Sequence, residues 1–218
     1  MTSALFDQTL IDTGHDQDRK RPENVLLIAC GALAREILAV RDANGWSNLE
    51  LACLPAKLHN YPDQIADAVR SRIHRARGDG YQSIFVVYAD CGTGGGLDRV
   101  CSEEGVQRIA GPHCYSFFEG NDTFARHPDE IAAFYLTDFL ARHFDTLIWK
   151  GMGLDRHPDL RDLMFGHYEK VVYLSQTDDA KLIDMARDAA HRLELGFEVR
   201  RTGYGDLEVF LGTAAKGS

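Results

Sequence analysis

No stretch of the sequence stays apolar for the roughly 20 residues that a membrane helix needs; its longest apolar runs, such as VLLIAC, are of strand length. Positive charge is also scarce, with 24 Lys and Arg against 33 Asp and Glu and a formal net charge of −9. A phosphate backbone or an anionic bilayer would be repelled on average, so neither nucleic acid nor membrane is an expected partner. Prolines number only 6, and no internal repeat, low-complexity stretch or linker breaks the chain. Residues 25–218 therefore read as a single α/β domain. The opening MTSALFDQTLIDTGHDQDRKRPEN lacks the basic-then-apolar order of a secretory signal, and residues 1–24 are expected to be a mobile leader. The expected compartment is the cytoplasm. There, the 5 cysteines point to metal, catalysis or burial rather than to disulfides.

What is present is an alternation of short apolar runs with helix-period segments. VLLIACG, LELACLPA, SIFVVYAD and VQRIAG read as successive strands. Between them, ALAREILAVRDANG and a segment opened by Pro62 and running to about Arg77 have helical spacing. Further on, Asp129 to Phe144 reads as one amphipathic helix whose apolar face is core or a homodimer surface, and TLIWKGM as a strand. PDLRDLMFGHY reads as a helix, VVYLSQ as a strand, and Thr177-Asp178-Asp179 as the cap of a helix ending near Leu195. The closing FEVRRTGYGDLEVFLG is expected to be an antiparallel hairpin turning at Gly203-Tyr204-Gly205. This pattern predicts a Rossmann-like, open, mostly parallel sheet with helices on both faces.

In such a sheet, ligands bind beyond the carboxyl ends of the strands. Cys30 ends the first strand, His59 follows the second, Cys91 follows the third, and His113 and Cys114 follow the fourth. Cys53 lies within a strand and Cys101 within a helix, where small buried hydrophobes are expected. Three thiols with an imidazole suit zinc, and the expected ligands are Cys30, Cys91, Cys114 and His113. Thiolates suit an iron–sulfur cluster as well.

The loop in YADCGTGGGLD lacks a P-loop lysine and the GxGxxG spacing. Gly92, Thr93 and Gly94 are expected to shape the pocket and approach substrate, together with Lys57, Tyr115 and Gln176. A purely structural turn is the competing reading. His59, Glu36 and Asp90 are the candidate acid, base or orienting groups.

The segments ACGALAREI, LPAKLHN, YADCGTGGGLD, GPHCYSFFEG, FYLTDFLARHFD, GLDRHPDL and YLSQTDD, in this order, resemble the family known as domain of unknown function 1638. The resemblance runs from Val25 to about Phe210, and Cys30, His59, Cys91, His113 and Cys114 match its cysteine and histidine motifs. It implies company with corrinoid-dependent methyltransferase systems in one-carbon and methylamine metabolism. The expected function is then a zinc-dependent enzyme acting on a small molecule such as a methylated amine, by methyl transfer or hydrolysis. A corrinoid or methyltransferase partner is implied by the same resemblance. One alternative is an accessory protein that carries or senses a metal, an iron–sulfur cluster or a corrinoid. Another is metal-free chemistry with Cys91 as nucleophile and His113 as base.

Overall fold

The computed structural model describes residues 3–16, 21–127 and 131–217. Along the chain the elements are α1 (Ser3–Asp12), β1 (Val25–Cys30), α2 (Ala34–Asn44), β2 (Leu49–Leu54), α3 (Ile65–Gly78), β3 (Ser83–Val87), α4 (Gly96–Glu103), β4 (Gln107–Arg108) and α5 (Ser116–Glu119). They continue with α6 (Asn121–Phe124), β5 (Ala133–Thr137), α7 (Asp138–Arg142), α8 (Leu160–Phe165), β6 (Lys170–Ser175), α9 (Ala180–Leu193), β7 (Gly196–Arg201) and α10 (Gly205–Ala215). None of the described helices is long and apolar enough to cross a membrane.

The chain divides into two units, one reaching to Phe117 and resuming at Asp206, the other spanning Phe118–Gly205. In the first, an all-parallel sheet has the order β2-β1-β3-β4. Every residue of β1 is buried, as expected of a central strand covered on both faces. Right-handed crossovers from β1 to β2 and back to β3 put α2 on one face and α3 and α4 on the other. Ion pairs join these last two helices: Arg70 meets Glu104 at 3.1 Å and Arg77 meets it at 2.5 Å. α10 returns to this sheet, where Phe210 packs edge-on against Phe85 at 5.9 Å.

Residues 1–24, expected to be a leader, contain α1. Within them α1 buries Leu10 and Ile11, and Asp7 pairs with Arg35 at 2.7 Å. After Gly14, His15 forms an antiparallel bridge with Cys53 on the edge strand β2.

In the second unit β5, β6 and β7 pair in chain order and in parallel. Their core joins Leu136, Val171 and Tyr173 of the sheet to Phe144, Phe165, Leu182, Ala186 and Leu193. Three expectations are corrected here. The span read as one helix over Asp129 to Phe144 is β5 followed by α7, with Asp129 and Glu130 outside the described residues. TLIWKGM is not a strand; Asp145–Trp149 is a π-helical turn. The terminal hairpin is absent among the described residues, because β7 pairs in parallel with β6 and Gly205 opens α10. The expected parallel α/β architecture is present, as a four-stranded sheet in the first unit and a three-stranded parallel sheet in the second.

Candidate functional site

In the first sheet the chain leaves β1 toward β2 on one side and later returns to β3 on the other. The crevice of a doubly wound sheet opens at such a reversal, beyond the carboxyl ends of the two strands. Here those strands are β1 and β3. Ala29 pairs with Val87 in register, so Cys30 and Tyr88 come next, side by side. Both are buried, at 7% and 2% exposure. The Tyr88 hydroxyl stands beside the Cys30 thiol without forming a hydrogen bond of good geometry. Burial pushes the Cys30 thiol up to about 12 and raises the Tyr88 phenol as well. Cys30 is therefore held as a neutral thiol.

The glycine loop follows. Its residues Cys91, Gly92, Gly94 and Gly95 all have left-handed backbone, with φ of 48°, 84°, 59° and 80°. Such a turn aims successive N–H groups inward, the arrangement that binds anions. The anion is supplied by the chain itself. The Asp90 carboxylate accepts the Thr93 hydroxyl at 2.7 Å and the amides of Gly95 at 2.9 Å and Gly94 at 3.2 Å. These donors hold its pKa below the usual carboxylate value, the Thr93 hydroxyl contributing most. Thr93 Oγ1 in turn accepts the Leu97 amide at 3.3 Å near the start of α4. The glycines thus close a turn around Asp90, and Asp90 is the group that fixes the turn carrying Cys91.

Backbone pairing then brings the second sulfur in. β3 and β4 pair only at Phe85 with Gln107 and Val86 with Arg108. The stitching continues past the sheet: Ile109 donates to the Val86 carbonyl at 3.0 Å, Asp90 to that of Gly111 at 3.0 Å, and Cys91 to that of Pro112 at 2.9 Å. Cys91 and Cys114 consequently face each other, with their Sγ atoms 3.2 Å apart. A thiol–thiol hydrogen bond stabilises one thiolate at the expense of the other. Donation from Cys114, helped by nearby backbone amides, lowers the Cys91 pKa below the ordinary thiol value. Cys114 is driven well up by that bond, by burial, and by the negative charge of Cys91.

The sequence model of one family, Protein of unknown function (DUF1638), matches residues 53–211. The chain belongs to that family. The match takes in His59, Asp90, Cys91, the glycine loop, His113 and Cys114, whereas Cys30 and Glu36 precede it. No curated protein and no solved structure is matched.

The remaining candidates of this DUF1638 chain fall as follows. His113 stacks on Tyr115 with ring centroids 4.9 Å apart and planes 9° from parallel. The His113 carbonyl accepts the Ser116 amide at 3.0 Å and the Ser116 hydroxyl at 2.7 Å, which fixes the turn after Cys114. Loss of hydration lowers the His113 pKa, and the charge of His59 lowers it further. His59 lies on the 3-10 turn Ala56–Asn60, open to solvent at its edge yet crowded enough that desolvation lowers its pKa too. Both imidazoles are thus mostly neutral at pH 7 and able to accept a proton.

Lys57 is exposed on the same turn. Glu36 is buried in the first turn of α2, where its charge adds to the larger effect of burial in raising the thiols of Cys30 and Cys53. Gln176 belongs to the second unit, where its side-chain oxygen accepts the Asp138 amide at 2.8 Å. Cys53 and Cys101 are buried, at 6% and 5% exposure, in β2 and α4. Among the described residues, no three His, Cys, Asp or Glu side chains come together in an arrangement that could hold a metal ion. Of the four expected ligands, Cys91 and Cys114 have their Sγ atoms 3.2 Å apart, and Cys30 lies within electrostatic reach of both. Sequence reasoning missed Tyr88 and the tie between Asp90 and its glycines. The second had a signal, because an Asp followed by Thr and glycines is the composition of a side-chain-closed turn.

Proposed function

We propose that the chain is a cysteine-dependent enzyme in which the Cys91 thiolate attacks an electrophilic centre of a small substrate, in group transfer or hydrolysis. The observation that carries this reading is the 3.2 Å contact between Cys91 and Cys114 at the strand-order reversal. A thiolate, not a thiol, is the nucleophile, and a donated hydrogen bond favours the thiolate at neutral pH. His113 and His59 are available as proton acceptors or donors for the leaving group. A methyl group on a methylated amine or a corrinoid is one electrophile such a thiolate takes, and the family resemblance favours that class.

The test is competitive labelling of the folded protein at pH 7 with substoichiometric iodoacetamide, followed by peptide mapping of all five cysteines. Cys91 takes the label first. Equal labelling of Cys91 and the buried Cys53 or Cys101 would sink the reading.

A second reading is supported by the same pair of sulfurs together with the thiol of Cys30. Thiophilic zinc would take two thiolates from Cys91 and Cys114, with Cys30 or His113 moving in to complete the set. Elemental analysis of anaerobically purified protein separates the readings. About one zinc per chain, lost in Cys91→Ser, favours this second one.

A further inference from the structure

The geometry points to Cys91 and Cys114 forming a two-electron dithiol/disulfide couple that reduces small disulfide substrates. This rests on Cys91 being the nucleophile, as proposed above, and adds a role for Cys114 and a substrate class. The two Sγ atoms are 3.2 Å apart as free thiols, and a disulfide needs about 2.0 Å. The remaining movement is about 1.2 Å. The segments bearing them are already tied by the Cys91 amide on the Pro112 carbonyl at 2.9 Å. Closing the bond therefore joins two pieces of backbone that the fold already holds together.

The chemistry runs in two exchanges. In the first, the Cys91 thiolate attacks one sulfur of a disulfide R–S–S–R. A Cys91–S–S–R bond forms, the R–S–S–R bond breaks, and RS⁻ leaves and takes a proton from water. In the second, Cys114 loses its proton to water and attacks the Cys91 sulfur. The Cys91–Cys114 bond forms, the bond to SR breaks, and a second RS⁻ leaves and is protonated. The substrate gains two electrons and becomes two thiols; the protein loses two electrons and becomes a disulfide. An external thiol reductant returns it to the dithiol.

Geometry sets the order of these steps. The Cys114 sulfur lies 3.2 Å from that of Cys91, so once Cys91 is in the mixed disulfide, Cys114 is the thiol already placed to resolve it.

The experiment treats the reduced full-length protein with oxidised glutathione at pH 7 and maps its peptides without reduction, beside Cys114→Ser and Cys91→Ser. The wild type is expected to lose two hydrogens, yield a linked Cys91–Cys114 peptide and release two glutathiones. Cys114→Ser is expected to stop at a stable Cys91–glutathione adduct, and Cys91→Ser to form no link. A wild type that accumulates the Cys91–glutathione adduct without linking would overturn the couple while leaving Cys91 as the nucleophile. A wild type inert both to oxidised glutathione and to iodoacetamide at Cys91 would overturn the couple and the proposed function together.

Discussion

The Gly95 amide donates to the Asp90 carboxylate at 2.9 Å, and this bond closes the loop on which Cys91 rides. With the Gly94 amide and the Thr93 hydroxyl it converts a glycine-rich segment into a rigid turn. Rigidity there matters because Cys91 itself is in left-handed backbone, which costs a non-glycine residue roughly 1–2 kcal/mol.

Replacing Asp90 removes the centre of that turn. Asp90→Ala is expected to destabilise the protein by about 1–3 kcal/mol in urea unfolding at pH 7. Because folding lowers the Asp90 pKa, its contribution is fully present above the unfolded carboxylate pKa of about 3.9 and is lost as pH falls through the lower folded value. The gap between wild type and variant should therefore close in acid. A gap that is constant from neutral pH to below about pH 3 contradicts the assigned role.

Two glycines with similar φ should respond differently to alanine. A Cβ at Gly95 meets nothing within 4 Å, so Gly95→Ala is expected to cost only the left-handed strain, about 1–2 kcal/mol. At Gly14 the added Cβ would lie 2.1 Å from the Cys53 carbonyl oxygen. Gly14→Ala is expected to cost about 3 kcal/mol or more, strain and overpacking together. Thermal unfolding of the two variants checks the order.

The contrast between these positions also shows what was readable from residue order. β1, β2, β3 and β6 were legible as short apolar runs ended by turn residues, and α2 by its stop at Asn44-Gly45, where Gly45 does take left-handed φ. β5 was not legible: AFYLT runs into DFLAR without a glycine or proline, and a short apolar run cannot be assigned to strand or helix by period alone. TLIWKGM failed for the opposite reason, its β-branched and aromatic residues favouring a strand that the packing of Ile148 into the second core overrides. Placement of Cys30, Cys91 and Cys114 at strand ends was legible. Which two sulfurs meet was not, because that depends on backbone bonds from the loop after β3 to the carbonyls of Gly111 and Pro112. α1 was missed because its sequence carries no strong amphipathic pattern, although Leu10 and Asp7 are buried.

Tyr88 offers a sharper check on the pocket. Its hydroxyl is buried without a hydrogen-bond partner of good geometry, and an unsatisfied buried hydroxyl is costly. Tyr88→Phe is expected to leave stability within about 0.5 kcal/mol of wild type, or to raise it. A loss above about 1 kcal/mol in chemical denaturation would mean that the hydroxyl is bonded in solution.

In the second unit, Asp138 is the comparable polar centre. At 2% exposure its carboxylate accepts the Tyr173 hydroxyl at 2.6 Å, the amides of Gln176 and Thr177 at 3.1 Å each, and the Thr177 hydroxyl at 2.5 Å. Asp138→Ala strands the buried donors of Tyr173 and Gln176 together with the two of Thr177, and is expected to cost about 3 kcal/mol or more. Asp138→Asn, which keeps the shape, is expected to cost less. Equal unfolding midpoints for wild type and Asp138→Ala would contradict the network.

The most direct measurement is the pH dependence of Cys91 alkylation in the wild type and in Cys114→Ala. Donation from the Cys114 thiol stabilises the Cys91 thiolate, so the wild-type rate should level off below the ordinary thiol range, near pH 8.5. Removing the donor should move the whole profile to higher pH and slow the reaction at pH 7. A Cys114→Ala profile that coincides with the wild type, or lies at lower pH, would contradict the account of the paired thiols.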